Sequence, residues 1–206
     1  MLYSSLHELV HHFAGYLICG DWGYKSFNYF STACEDDPKT YYATYAGPVF
    51  SFLIMYVGMY YLGAKSDYRK HLGFALIFAQ LPLQRMLMPI FRGNDEYYAS
   101  YHLFGDSNAV WIITILVVWV ICLPPLIRAY RAIGNRQRLL WFLLYLVLLP
   151  HILWGPFFAL FEYMMVDKGI LAQTVIGIGL LFIINEVFTI ALYYLVRKWI
   201  DPLRTK

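Results

Sequence analysis

The chain has 206 residues, 60% of them hydrophobic and 14% charged, with a mean hydropathy of +0.52. That balance argues against an ordinary soluble domain and for one polytopic all-α membrane domain over residues 1–206, with room for about six spans of roughly 20 residues. The net charge of +3 is too small, and its Lys and Arg too dispersed, for a nucleic-acid partner.

In chain order, residues 1–19 form a first apolar segment that holds His7-Glu8-Leu9-Val10-His11. It lacks a basic leading region, so no cleavable signal peptide is expected. It is short for a span: either it enters the membrane part-way, or further residues precede Met1. Loop 20–39 is aromatic and acidic, and its run 24–30 alternates, which predicts a short strand or hairpin. Three Cys give no disulfide framework and no Cys-x-x-Cys metal site, but Cys19 and Cys34 could pair if this loop faces an oxidising compartment. Segment two covers 41–63 and contains Gly47-Pro48; a basic turn follows at 65–71.

Segment three, 72–91, is apolar but holds Gln80, Pro82, Gln84, Arg85 and Pro89. Two prolines predict a kinked or broken helix, tolerated at membrane depth only against protein or a cavity. A polar loop, 92–108, carries Asn94-Asp95-Glu96, His102 and Asp106. Segment four is 109–127, followed by an Arg-rich loop at 128–138. Segment five is 139–165, with His151 and Glu162; segment six is 169–199, with Asn185-Glu186; the tail is basic. The Lys/Arg-rich loops alternate with the acidic ones. The positive-inside rule then predicts six spans, an integral multi-pass protein, and both termini in the cytoplasm.

The pattern His-Glu-x-x-His carries the chemistry. Positions four apart share one helix face, so His7 and His11 can bind one zinc ion. Glu8 beside them is placed to take a proton from water as general base. A catalytic zinc site needs a third ligand, and Asp95 is the first choice because it lies just past a broken helix on the same side of the membrane as the end of segment one. His102 and Asp106 are the alternatives on that loop. A competing role for Asn94 or Asp95 is to cap a helix over 96–103.

The chain resembles the site-2-protease type of intramembrane zinc metalloprotease. His7-Glu8-Leu9-Val10-His11 matches the family's metal motif in full. Gly47-Pro48-Val49-Phe50-Ser51 is similar to its Gly-Pro-x-x-Asn stretch, with Ser51 at the Asn position. Gln80-Leu81-Pro82 and the run from Pro89 to Asp95 echo its Asp-containing region, with Asn94-Asp95-Glu96 where the family has Leu-Asp-Gly. The resemblance covers about residues 1–105, leaving 106–206 as additional helices. Many members orient the motif helix opposite to the charge-based assignment. The resemblance implies hydrolysis of a peptide bond in or near a substrate's membrane span, with zinc as cofactor and a membrane-spanning protein as substrate. An accessory membrane protein is a further partner to expect. Ser51 and His12 would assist at the substrate or oxyanion, and the 24–30 edge would hold the substrate extended by strand addition.

Three other functions fit parts of the sequence. A non-catalytic membrane subunit or degenerate protease-like protein fits the departures at Ser51 and 94–96. A transporter fits His151, Glu162, Asn185 and Glu186 within segments five and six. A di-iron oxygenase fits His7, His11 and His12, but it needs more His than the six present.

Overall fold

The computed structural model describes residues 2–148, 152 and 155–200, with side chains for 5–148, 152 and 155–197. The described residues are mostly helical, with almost no sheet. α1 (Leu2–Cys19) and α2 (Thr40–Tyr61) pack along their length. His7 meets Ser51 and His11 meets Ala43, so the two helices run antiparallel. Small residues then let α2 approach α3 (Asp67–Phe78): a Cβ on Gly58 would lie 2.7 Å from the Gly73 carbonyl oxygen.

Segment three is broken, as its prolines predict. α3 stops before Leu81, whose φ of 52° turns the chain, and Pro82 opens α4 (Pro82–Leu87) at a position where its missing N–H is harmless. A 3-10 turn, Met88–Phe91, holds Pro89. Arg92 and Asn94 then take positive φ, and α5 (Asp95–Phe104) runs through what reads in sequence as a polar loop. α6 (Asn108–Ala132) starts on Ser107, whose Oγ accepts from Val110 N–H at 3.2 Å. Met55 of α2, Ile77 and Phe78 of α3, and Val118, Cys122 and Leu126 of α6 form one buried core.

The C-terminal part departs further from the sequence expectation. Among the described residues of segment five, α7 (Arg138–Leu143) runs into a π-helical turn at Leu144–Leu148, and α8 (Gly155–Glu162) into another at Tyr163–Asp167. His151 lies outside the described residues. Segment six begins late. Its first residues form a two-residue hairpin, β1 (Thr174–Val175) with β2 (Ile178–Gly179), before α9 (Leu180–Ile200). Ile176 and Gly177 both have positive φ, which is the turn a right-twisted two-residue hairpin needs. A second core gathers Phe27 from loop 20–39 with Phe158, Met165, Ile178, Leu181 and Phe182.

Among the described residues, four helical stretches are long and apolar enough to cross a membrane: Thr40–Tyr61, Asp67–Phe104, Asn108–Ala132 and Leu180–Arg197. The second of these is the broken series α3–α5. Of the six spans expected from the sequence, these four are met by length and composition among the described residues; α1 is 18 residues and carries His and Glu, and segment five is described only in part.

Candidate metal centre

α1 presents His7 and His11 on the face that meets α2. His11 is fully buried. Its Nδ1 donates to the Ala43 carbonyl at 2.8 Å, which leaves a lone pair on Nε2. The ring is sandwiched. Phe30 stacks on one face, with centroids 4.4 Å apart and planes within 6°. Gly47 closes the other side, where a Cβ would lie 2.2 Å from His11 Nε2. Only glycine lets α2 come this close, which gives the Gly47-Pro48 step a steric purpose.

Asp95 opens α5 and turns its carboxylate toward the two imidazoles. His7 Nε2 lies 3.0 Å from His11 Nε2; Asp95 Oδ2 lies 3.2 Å from the first and 3.4 Å from the second. Among the described residues this is the group of His, Cys, Asp or Glu side chains close enough to share a metal ion. The donor set fits zinc: ligand bonds of about 2.0–2.1 Å at tetrahedral angles put donor atoms about 3.3 Å apart. The chemistry of the triangle agrees. His11 Nε2 and a carboxylate oxygen are both acceptors, and a cation between them relieves their repulsion. The N-cap position of α5 falls to Asn94, so Asp95 starts the helix and still faces the histidines.

Arg85, which in the sequence is only a polar residue in an apolar segment, stands behind His7. Its Nη1 donates to Glu96 Oε1 at 2.8 Å and its Nε to the Gln80 carbonyl at 3.1 Å. Its Nη2 lies 3.0 Å from both His7 Nδ1 and Ser51 Oγ. Asn94 donates to the other Glu96 oxygen. Ser51 Oγ is itself 3.0 Å from His7 Nδ1. A His7 that gives its Nε2 lone pair to a metal carries its proton on Nδ1, and Ser51 is then the acceptor that fixes the ring. An ionisable residue inside an apolar segment is the available signal for Arg85; its partner Glu96 lies across a break that the sequence leaves unplaced.

His7, Glu8, Arg85 and Asp95 share a cavity of about 800 Å3 with residues 28–32, Glu35, Asp36 and the start of α2. Asp95 keeps 29% of its side chain exposed, so the triangle is open on the cavity side. Glu8 therefore faces a polar space beside the donors, not lipid. Ser51 and His12 do not take the places expected of them. Ser51 is fully buried behind His7, and His12 points away, its Nε2 donating to the Ile176 carbonyl at 2.9 Å with its ring over Trp22. His102 stacks on Tyr41, and Asp106 pairs with Arg92 at the surface, so neither joins the triangle.

Loop 20–39 walls the cavity and is tied down at several points. Cys19 and Cys34 form a disulfide. Lys25 and Phe30 pair across a tight hairpin, closed by Ser26 N–H on the Tyr29 carbonyl and Ser31 N–H on the Tyr24 carbonyl. The other edge of Lys25 is already used: its N–H donates to Gly177 O and its carbonyl accepts from Gly179 N–H. Glu162 accepts from Ser26 Oγ at 2.6 Å and from the Phe27 and Asn28 N–H groups. The Lys25 ammonium is buried over the Phe182 ring; burial pulls it down to about 8, opposed by Glu8, Glu186 and Glu162. Within the helices, Ser5 Oγ and Asn185 Nδ2 both donate to Glu186 Oε1. Glu162 and Glu186 thus join elements of the fold to one another, and Asn185 supports Glu186 on the same helix.

No protein-family model, curated protein or solved structure matches the chain.

Proposed function

We propose that the chain is a membrane-embedded zinc metalloendopeptidase that hydrolyses a peptide bond in or near the membrane span of a protein substrate. The observation that carries this reading is the convergence of His7, His11 and Asp95 within 3.0–3.4 Å, open to a cavity that Glu8 also lines. A bilayer holds little water, and hydrolysis there needs such a polar recess. When bound, zinc would supply the Lewis acidity that activates water and polarises the scissile carbonyl. Glu8 takes the proton from the attacking water and returns it to the leaving amide nitrogen. Asp95 and the imidazoles would hold the metal; Ser51 accepts from His7 Nδ1–H and from Arg85 Nη2, so Arg85 acts on His7 through Ser51.

Strand addition is supported at one particular edge of the 24–30 hairpin. In the Lys25–Phe30 pair, Lys25 turns its N–H and carbonyl toward 177–179, so Phe30 turns its own away, on the side of the hairpin that lines the cavity. An unwound substrate segment can bond there. The disulfide and the acidic charge of loop 20–39 support a non-cytoplasmic position for the cavity mouth. With the Lys/Arg-rich loops inside, both termini are cytoplasmic and six crossings result, α1 and segment five completing the count.

Two measurements test this. Metal analysis of the detergent-purified protein should find about one zinc per chain. Asp95→Asn should lower that content and stop cleavage of a co-expressed single-span protein, whereas Asp106→Asn should do neither. A parent that binds zinc but cleaves nothing across a broad substrate panel would favour the non-catalytic reading. For topology, cysteines introduced at Arg136 and Asp36 should label from opposite sides of the membrane, with Asp36 outside; labelling from one side would end the assignment.

A further inference from the structure

The cavity's charges do not balance, and the surplus identifies what it binds. Of its ionisable lining groups, Arg85 is spent on Glu96, and a divalent cation at the triangle offsets Glu8 and Asp95. Glu35 and Asp36 remain, both exposed at the mouth and neither with a salt-bridge partner among the described residues. Lys39 lies nearby in sequence but does not line the cavity. The disulfide at Cys34 ties this acidic turn to the end of α1, so the two carboxylates are held over the opening. Three tyrosines, Tyr29, Tyr41 and Tyr98, line the same mouth. Carboxylates beside aromatic faces form the environment that takes an ammonium or guanidinium head, by charge and by cation–π attraction.

We infer that the substrate is a polypeptide with a Lys or Arg side chain near its scissile bond, seated against Glu35, Asp36 and the mouth tyrosines; this rests on the hydrolase reading above. The requirement is selective. Non-cytoplasmic flanks of membrane spans are poor in Lys and Arg, so few spanning proteins present a basic residue at this depth on this side.

The test incubates the purified, zinc-loaded full chain with a proteome-derived peptide library and maps the cuts by mass spectrometry. Lys or Arg should be enriched several-fold within a few residues on one side of the cut. The double variant carrying Glu35→Gln and Asp36→Asn should keep its zinc, which checks the fold, and lose that enrichment. Cleavage without basic enrichment, or enrichment unchanged in the double variant, overturns the inference. If nothing is cut, the hydrolase reading fails separately, and a binding arm decides this one. A dye-labelled Lys-containing peptide should bind the Glu8→Gln protein roughly tenfold more tightly than its Glu-for-Lys twin, less so at high salt. Adding the two mouth substitutions to that protein should remove the difference, and equal binding of the two peptides before they are added would overturn the inference.

Discussion

Glu8→Gln is expected to keep zinc and fold and to lose proteolysis. Glu8 follows His7, one of the three proposed metal donors, on the same helix and lines the cavity beside it, close to the donors without being one of them. Removing a positioned general base costs roughly 10²–10⁴-fold in rate while the metal stays bound. The amide that replaces the carboxylate is nearly the same size and cannot accept the proton of the attacking water. Co-expression of parent or variant with a single-span protein, followed by immunoblotting for the shortened product, reads the effect directly. Equal cleavage by both would remove Glu8 from the chemistry, and loss of zinc in the variant would show a structural role instead.

Arg85→Met should give the largest loss of stability. Arg85 and Glu96 are both buried, and the pair is close at 2.8 Å. Taking away the guanidinium leaves the Glu96 carboxylate buried with Asn94 and its own backbone N–H, a loss of roughly 3–5 kcal/mol for a broken buried pair. Ser51 and His7 lose their backing at the same time, which should weaken zinc roughly 10–100-fold, as removal of an outer-shell partner does. The double variant carrying Arg85→Met and Glu96→Leu separates the two effects. It should recover most of the thermal stability, because no orphaned charge remains, yet bind zinc as weakly as the single variant. Thermal unfolding in detergent and a zinc competition titration measure both quantities. Full recovery of zinc affinity in the double variant would mean that Arg85 acts only through Glu96.

How far the sequence reaches follows from the range of each contact. His7, Glu8 and His11 are a local signal, since one helical turn sets their geometry. Asp95 is approachable because the loop charges predict it on the same side of the membrane as the end of segment one and Pro82 and Pro89 mark a broken helix before it. Its helix is less apparent: α5 is amphipathic and polar at its start, so it reads as a loop. Gly47 and Phe30 hold His11 by close approach and ring stacking between elements, and neither leaves a periodic trace. Ser51 illustrates the limit in the other direction. Its position matches the motif, but which way it faces depends on Arg85 and His7, both far away in sequence. The hairpin of β1 and β2 merges into segment six because Val175, Ile176 and Ile178 are as apolar as the helix that follows, and an isoleucine in a left-handed turn gives no warning.

The web around Lys25 bears on how short the protein can be made. Residues 1–105 contain every donor of the triangle and invite truncation to that stretch alone. Yet the wall of its cavity is braced from beyond that boundary: Gly177 and Gly179 bond the backbone of Lys25, the Ile176 carbonyl accepts from His12, Glu162 gathers the amides of Phe27 and Asn28, and Glu186 accepts from Ser5. A truncated fragment would keep its ligands and lose the surface against which they are aimed. The last hundred residues are the other half of one scaffold, and an insertion or excision there reaches the chemistry as directly as a change in α2.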